Sequence, residues 1–313
     1  MKSGLLSLLE RDWLSARVSS CATRLGILGL AAASLLFPLN AIPLFAQAPA
    51  SRVPHYQVDA TWPKELPNNW ILGHVEGIAV DKNDHIWALP DPDSVPANEA
   101  DAAQTPPRAE CCTPAPGVME FDTAGNVLKS WGKPENTQTW PTAEHGLWVD
   151  KELNVWIGGI WAATFSRVPG QPPDRSLPWD RQVLKFTSEG KQLLEIGHPT
   201  NQPANNQDTT YLGGAAGMVV DEDAHEVYIA DGYMNKRVVV YDSLSGVFKR
   251  GWGAYGIPLS EVDNAKSAPY DPSAPPSKQF RSVSCVRLSA DGFLYVCDPR
   301  AIAFRYLRNR DNL

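Results

Sequence analysis

Apolar and polar positions along this chain fall into short runs that recur. Gly77-Ile78-Ala79-Val80-Asp81 leads through a short turn into Ile86-Trp87-Ala88-Leu89. Gly146-Leu147-Trp148-Val149-Asp150 leads into Val155-Trp156-Ile157, and Gly217-Met218-Val219-Val220-Asp221 into Val227-Tyr228-Ile229-Ala230-Asp231. A fainter copy runs from Cys285-Val286-Arg287-Leu288-Ser289 into Leu294-Tyr295-Val296-Cys297-Asp298. The copies start at 77, 146, 217 and 285, a period of 68 to 71 residues. A fixed period of that kind predicts an array of like units.

Within a unit the pattern is strand, tight turn, strand, loop, strand, tight turn, strand. The second half of the first unit is Val118–Asp122, the turn Thr123-Ala124-Gly125-Asn126, and Val127–Gly132. The second has Val183–Phe186 and Leu193–Gly197 around Ser188-Glu189-Gly190-Lys191, and the third has Val238–Asp242 and Val247–Gly253 around Ser243-Leu244-Ser245-Gly246. Asp and Gly in these turns suit short hairpins. Four antiparallel strands per unit, repeated, predict the blades of a β-propeller. The first strand of each unit is apolar at successive positions, as expected for an innermost strand packed on both faces. No long segment has helical periodicity, and eleven Trp among the strands favour an all-β fold. Three complete blades and half of a fourth are legible over 49–298, with a lead-in strand near Tyr56–Trp62 or Trp70–Gly73. Pro299 breaks the pattern, so residues 299–313 read as an irregular tail, and the array reads as an incomplete, truncated propeller.

Blade geometry sorts the connections by face. The turns between strands one and two, and three and four, point to one side. The long segments Pro90–Pro116, Thr164–Arg181, His198–Ala215 and Ala254–Ser282 fall on the other. Long loops gathered on one face of a rigid scaffold are the usual layout of a binding face.

The N-terminus changes the compartment. Lys2, Arg11, Arg17 and Arg24 precede an apolar run from Leu25 to Phe37, too short to span a bilayer. Residues 1–48 therefore read as a signal peptide with cleavage near residues 46–48, and the protein as periplasmic or secreted; the alternative is a membrane anchor formed by an uncleaved signal. Residues 1–48 carry four basic and two acidic groups; without them 24 basic and 33 acidic residues remain, and the net charge moves from −7 to −9. That field repels phosphate backbones and argues against nucleic acid as a partner. There is no nucleophile elbow, P-loop, HExxH or dinucleotide fingerprint.

The repeats resemble NHL-type propellers, and more narrowly the six-bladed propeller of peptidyl-α-hydroxyglycine α-amidating lyase and its bacterial relatives. The motifs that carry the resemblance are His145-Gly146-Leu147-Trp148-Val149-Asp150 and Asp231-Gly232-Tyr233-Met234-Asn235-Lys236-Arg237-Val238, within residues 70–298. The resemblance implies a zinc ion at the channel mouth, held by three His from different blades, with a Tyr and an Arg beside it. His145 matches one such His and Tyr233 the Tyr. Ser284 stands where the second His belongs, and Pro299 where the Arg belongs, with Arg300 one place later.

Read from the residues alone, Glu76, His145, Ala216 and Ser284 precede successive inner strands and so lie at the channel mouth. Glu76 and His145 could share a metal, with His74 as a substitute ligand, or could simply bond loops around a water-filled channel. Tyr233 could place a phenol over the channel as acid or base, with Arg237 beside it. Alternatively, Asp231 and Asn235 bond turn amides and Arg237 pairs with Asp231. Asp81, Asp150 and Asp221 read as turn-forming residues. Cys285 and Cys297 are symmetric about Asp291, which puts them opposite each other in a regular hairpin and within disulfide reach. For Cys111 and Cys112 a mutual bridge, a soft metal or a tie to another loop all stay open.

These readings converge on an exported propeller that binds a peptide, small molecule or protein through its loop-rich face. The alternatives are a zinc-dependent lyase acting on peptidyl-α-hydroxyglycine, with His145 as ligand and Tyr233 as acid or base, and an inactive remnant of such an enzyme.

Overall fold

Short β-branched and aromatic runs separated by Asp- and Gly-containing turns form strands throughout. The computed structural model describes residues 55–132, 140–160, 172, 176–267, 269, 271, 273–275 and 277–299, and the strand Ala303–Arg308. The signal peptide read over 1–48 lies outside the described residues.

The first blade takes β2 (His74–Val80), β3 (Ile86–Asp91), β5 (Val118–Phe121) and β6 (Val127–Trp131), in that spatial order. Before it, β1 (Trp70–Ile71) pairs in parallel with β4 (Thr113–Pro114) in a small separate sheet. The lead-in strand expected at 56–62 or 70–73 is thus confined to Trp70–Ile71 and joins no blade. Blade two is β7 (Glu144–Val149), β8 (Val155–Gly159), β9 (Gln182–Phe186) and β10 (Gln192–Gly197). Blade three is β11 (Ala215–Asp221), β12 (Glu226–Asp231), β13 (Arg237–Asp242) and β14 (Phe248–Trp252). The last sheet holds β15 (Cys285–Leu288), β16 (Phe293–Asp298) and β17 (Ala303–Arg308). The irregular tail expected over 299–313 is corrected here. Pro299 interrupts the chain only locally, and Ala303–Arg308 pairs along the whole of β16.

The inner strands lie side by side in sequence order, β2 on β7, β7 on β11 and β11 on β15. The repeated glycine explains how they come so close. A Cβ on Gly77 would lie 2.7 Å from Leu147 Cβ, and one on Gly146 would lie 3.3 Å from the Ala216 carbonyl and the Gly217 Cα. The recurrent Gly is therefore where one inner strand meets the next.

Three of the cores sit between blades, while a further one packs Ala88, Met119 and Phe121 of blade one against Trp62 and Trp70 of the lead-in. Trp87, Leu89 and Val118 pack with Leu147, Val149 and Ile157 between blades one and two. Trp156 and Val183 pack with Met218, Val220 and Ile229 between two and three. Val219, Tyr228 and Val240 pack with Val286, Leu294 and Val296 between three and the last sheet. β11 has a blade on each side and is buried at every position. β2 has one on a single side, and Ile78 and Val80 are 65% and 61% exposed. The expectation of an inner strand buried on both faces thus holds for blade three and fails for blade one.

Candidate functional site

The inner strands of blades one to three each carry a bulge near their start, whereas β15 pairs without one. Pairing shifts between Val75 and Ile78 in β2, His145 and Leu147 in β7, and Ala215 and Gly217 in β11. In β7 the bulge residue is Gly146, at φ +74°, a left-handed conformation that only glycine adopts without strain. The bulge leaves Gly146 unpaired beside His145, which stays opposite Gly158 and points its ring at blade three.

There His145 meets two groups. Its Nδ1 lies 3.1 Å from the Ala216 carbonyl, and its Nε2 lies 3.0 Å from the Tyr233 hydroxyl. A carbonyl can only accept, so Nδ1 carries the proton. In the neutral ring Nε2 is then the acceptor, and the Tyr233 hydroxyl donates to it. Burial pushes the His145 pKa below its ordinary value, against the opposing pull of the Glu76 charge and the Ala216 carbonyl, and so favours this neutral form. The two rings meet edge to face, with centroids 5.4 Å apart.

Glu76 reaches His145 only through its charge. Its carboxylate lies 4.0 Å from His74 Nδ1. A shared metal among His145, Glu76 and His74 does not fit. Nε2 of His145 is occupied by the phenol, and Ser284 offers no imidazole. Among the described residues, the one set of three clustered metal-type ligands lies elsewhere. The donor set falls short of what zinc requires.

Arg237 takes the second of its two readings, the pair with Asp231. It is fully enclosed, with Nε 2.7 Å from Asp231 Oδ2, and its other donors reach the carbonyls of Asn206, Asp208 and Tyr211. Asp231 also accepts from the Gly213 amide and from Asn235 Nδ2. The pair fastens the incoming loop to the turn that carries Tyr233, so Arg237 positions that turn. Asp298 does the same in the last sheet, accepting from the amides of Arg281 and Ser282.

Beside Tyr233 a cavity of about 1020 Å³ opens on the loop-rich side, lined by Trp179, Arg181, Asn201, Lys236 and Lys266 among others. Arg181 is 2% exposed and stacks between Trp179 and Tyr211, with ring centroids 5.1 and 5.6 Å from its guanidinium carbon.

The cluster of metal-type ligands is Asp81, His85 and Glu120, in the tight-turn half of blade one. Asp81 accepts from the Trp87 indole and the amides of Asn83 and His85. His85 Nδ1 lies 2.7 Å from Glu120 Oε1, and Lys129 Nζ lies 3.6 Å from Oε2. In blade two, Asp150 accepts from the Trp156 indole in the same way. Lys185, opposite Trp156 as Glu120 is opposite Trp87, places its ammonium 3.7 Å from Asp150. In blades one and two the recurrent Asp is therefore a hub that ties the turn to the indole of the second strand, whereas Asp221 accepts from the Ala224 amide. Sequence reasoning took it as a turn residue and missed the indole bond; the Asp-to-Trp spacing of six, repeated in both blades, was the available signal.

Both cysteine pairs are bonded. Cys285 faces Cys297 directly in the β15–β16 ladder, and Cys111 is bonded to its neighbour Cys112. Disulfides of this kind belong to oxidising compartments. Among the described residues no helix is long and apolar enough to cross a membrane.

The sheets and their order define an all-β, propeller-like protein with a polar pair at the mouth of its inner strands. No family model matches the chain. Among solved structures it is similar to two computationally designed proteins. The match to Ika8 covers 75% of this chain and 45% of that one, at 11% identity and a TM-score of 0.35. The match to Ika4 covers 77% of this chain and 97% of that one, at 12% identity and a TM-score of 0.37. The chain thus spans a little under half the length of the first. The fold assignment rests on the sheets themselves.

Proposed function

We propose that this chain is an exported NHL-type propeller that binds a ligand through its loop-rich face, with His145 and Tyr233 as the polar floor of the site. One observation carries this reading. Two residues 88 positions apart are hydrogen-bonded across neighbouring blades, and one of them lines the large cavity. Concave sites with an aromatic lining and a few converging polar groups are where small ligands bind. The four-stranded repeats and the two disulfides support the NHL-type and exported parts of the proposal.

The lyase alternative is not preferred, because the donors around His145 do not make a zinc site and Arg237 is locked in a structural pair. The test is a binding screen of uncharged N-acetylated dipeptide amides, followed by side-chain NMR. Hits are expected to perturb the Trp179 indole and the Tyr233 ring. Hits confined to the tight-turn side would contradict the reading. So would one equivalent of tightly held zinc that is lost in His145→Ala.

A further inference from the structure

The cavity beside Tyr233 has an uneven charge. Among the described residues that line it are Arg181, Lys236, Lys266 and Arg281, and no Asp or Glu. This is unexpected in a chain of net charge −7. Lys236 has a loose partner in Asp263, at 3.9 Å. Among the described residues Arg181 has none of that kind. Its Nε and Nη1 are enclosed and make no hydrogen bond, and Nε of Arg281 is in the same condition.

A buried guanidinium with unfilled donors is costly, because the lost hydration is not replaced. Burial pushes the Arg181 pKa down, although the charges of Asp231 and Tyr211 oppose the shift. Asp231 is already engaged by Arg237 and cannot neutralise a second cation fully. The stacking on Trp179 and Tyr211 holds the guanidinium plane in place without satisfying its N–H groups. The group is thus held ready and left short of acceptors, at the wall of a space large enough for an organic ligand.

We propose that this cavity is an oxyanion-recognition site, in which Arg181 takes the carboxylate or phosphate of a small organic ligand whose apolar body lies on Trp179 and Tyr233. Lys266, exposed at the rim, adds attraction, and Arg281 supplies a second enclosed donor. The proposal rests on the ligand-binding reading of the loop-rich face and names the ligand class for it.

The experiment compares four probes by Trp fluorescence and calorimetry: N-acetylphenylalanine, N-acetylphenylalaninamide, phenyl phosphate and inorganic phosphate. The acid or the phenyl phosphate should bind at least about tenfold more tightly than the amide, as expected for charge-assisted hydrogen bonds to a sheltered guanidinium. Which of the two binds better assigns the source of the oxyanion. Inorganic phosphate should bind more weakly than either, since it lacks the apolar body. In Arg181→Gln the preference over the amide should vanish while amide binding remains. Should that variant not fold, Arg181→Lys and Lys266→Gln should each reduce the preference. Equal binding of acid and amide, or a preference undiminished in these variants, overturns the proposal. If both probes bind equally and still perturb Trp179, the ligand-binding face stands and only its oxyanion chemistry falls.

Discussion

The Tyr233 hydroxyl donates to Nε2 of His145 across 3.0 Å, while Nδ1 of the same ring gives its proton to the Ala216 carbonyl. Both nitrogens of a half-buried imidazole are thus spoken for in the neutral form. Burial of the ring disfavours the charged imidazolium, against the opposing pull of the Glu76 charge and the Ala216 carbonyl. His145 should therefore titrate below the ordinary histidine value of about 6.5. The sign for stability follows. Above about pH 6.5 both folded and unfolded chains carry a neutral ring and the contribution is complete. As the pH falls below that value, the unfolded chain takes up the proton first and stability is lost. Denaturation at pH 7.5 and pH 5.5 should show a smaller loss in His145→Gln than in the wild type; an equal loss would contradict this.

Glycines at the inner-strand contacts should differ sharply in tolerance. A Cβ on Gly232 would sit 1.7 Å from the Val283 carbonyl oxygen, whereas on Gly217 the nearest atom would be 3.5 Å away. Gly232→Ala should cost about 3 kcal/mol or more, because backbone must move. Gly217→Ala should change stability by about 1 kcal/mol or less. Urea midpoints of the two variants decide this, and similar values would count against the close approach of Val283, just before β15, to the strand-two turn of blade three.

How much of this was legible beforehand follows from the range of each interaction. The blades were legible because strands and hairpin turns are local, and Cys285 opposite Cys297 followed from the hairpin register alone. The meeting of His145 and Tyr233 needed one further premise, that units stack radially, and the repeat supplied it. For Arg237 the sequence left two readings open, because a turn residue beside a candidate phenol looks the same whether it faces solvent or a buried carboxylate; the pair with Asp231 is the one formed. Arg181 gave no signal at all, since its surroundings come from Trp179, Tyr211 and the loops of other blades. The strand at Ala303–Arg308 was hidden by Pro299, whose effect ends before Ala303.

The Asp231–Arg237 pair should act on stability, not on ligand chemistry. Both side chains are fully enclosed. Removing one partner strands the other, so Asp231→Asn or Arg237→Met should cost about 3 to 5 kcal/mol. The expected readout is a large fall in the thermal midpoint with reduced expression. A variant that folds normally and fails only to bind ligand would return Arg237 to the site.

The Cys285–Cys297 bond closes a short loop, with a sequence separation of 12. Its loss in the double Ser variant should cost about 2 to 3 kcal/mol and leave blades one to three intact. Hydrogen exchange should show the loss confined to β15–β17; uniform loosening of all blades would contradict a unit-by-unit array.

The central claim is that neighbouring blades bring His145 and Tyr233 into direct contact at the mouth of the inner strands. A double-mutant cycle with His145→Ala, Tyr233→Phe and the combined variant, read by urea denaturation at pH 7.5, tests that contact directly. The two substitutions should be coupled by about 0.5 to 1.5 kcal/mol. Additivity within about 0.3 kcal/mol would mean that the two side chains do not touch, and the site built on them would fall.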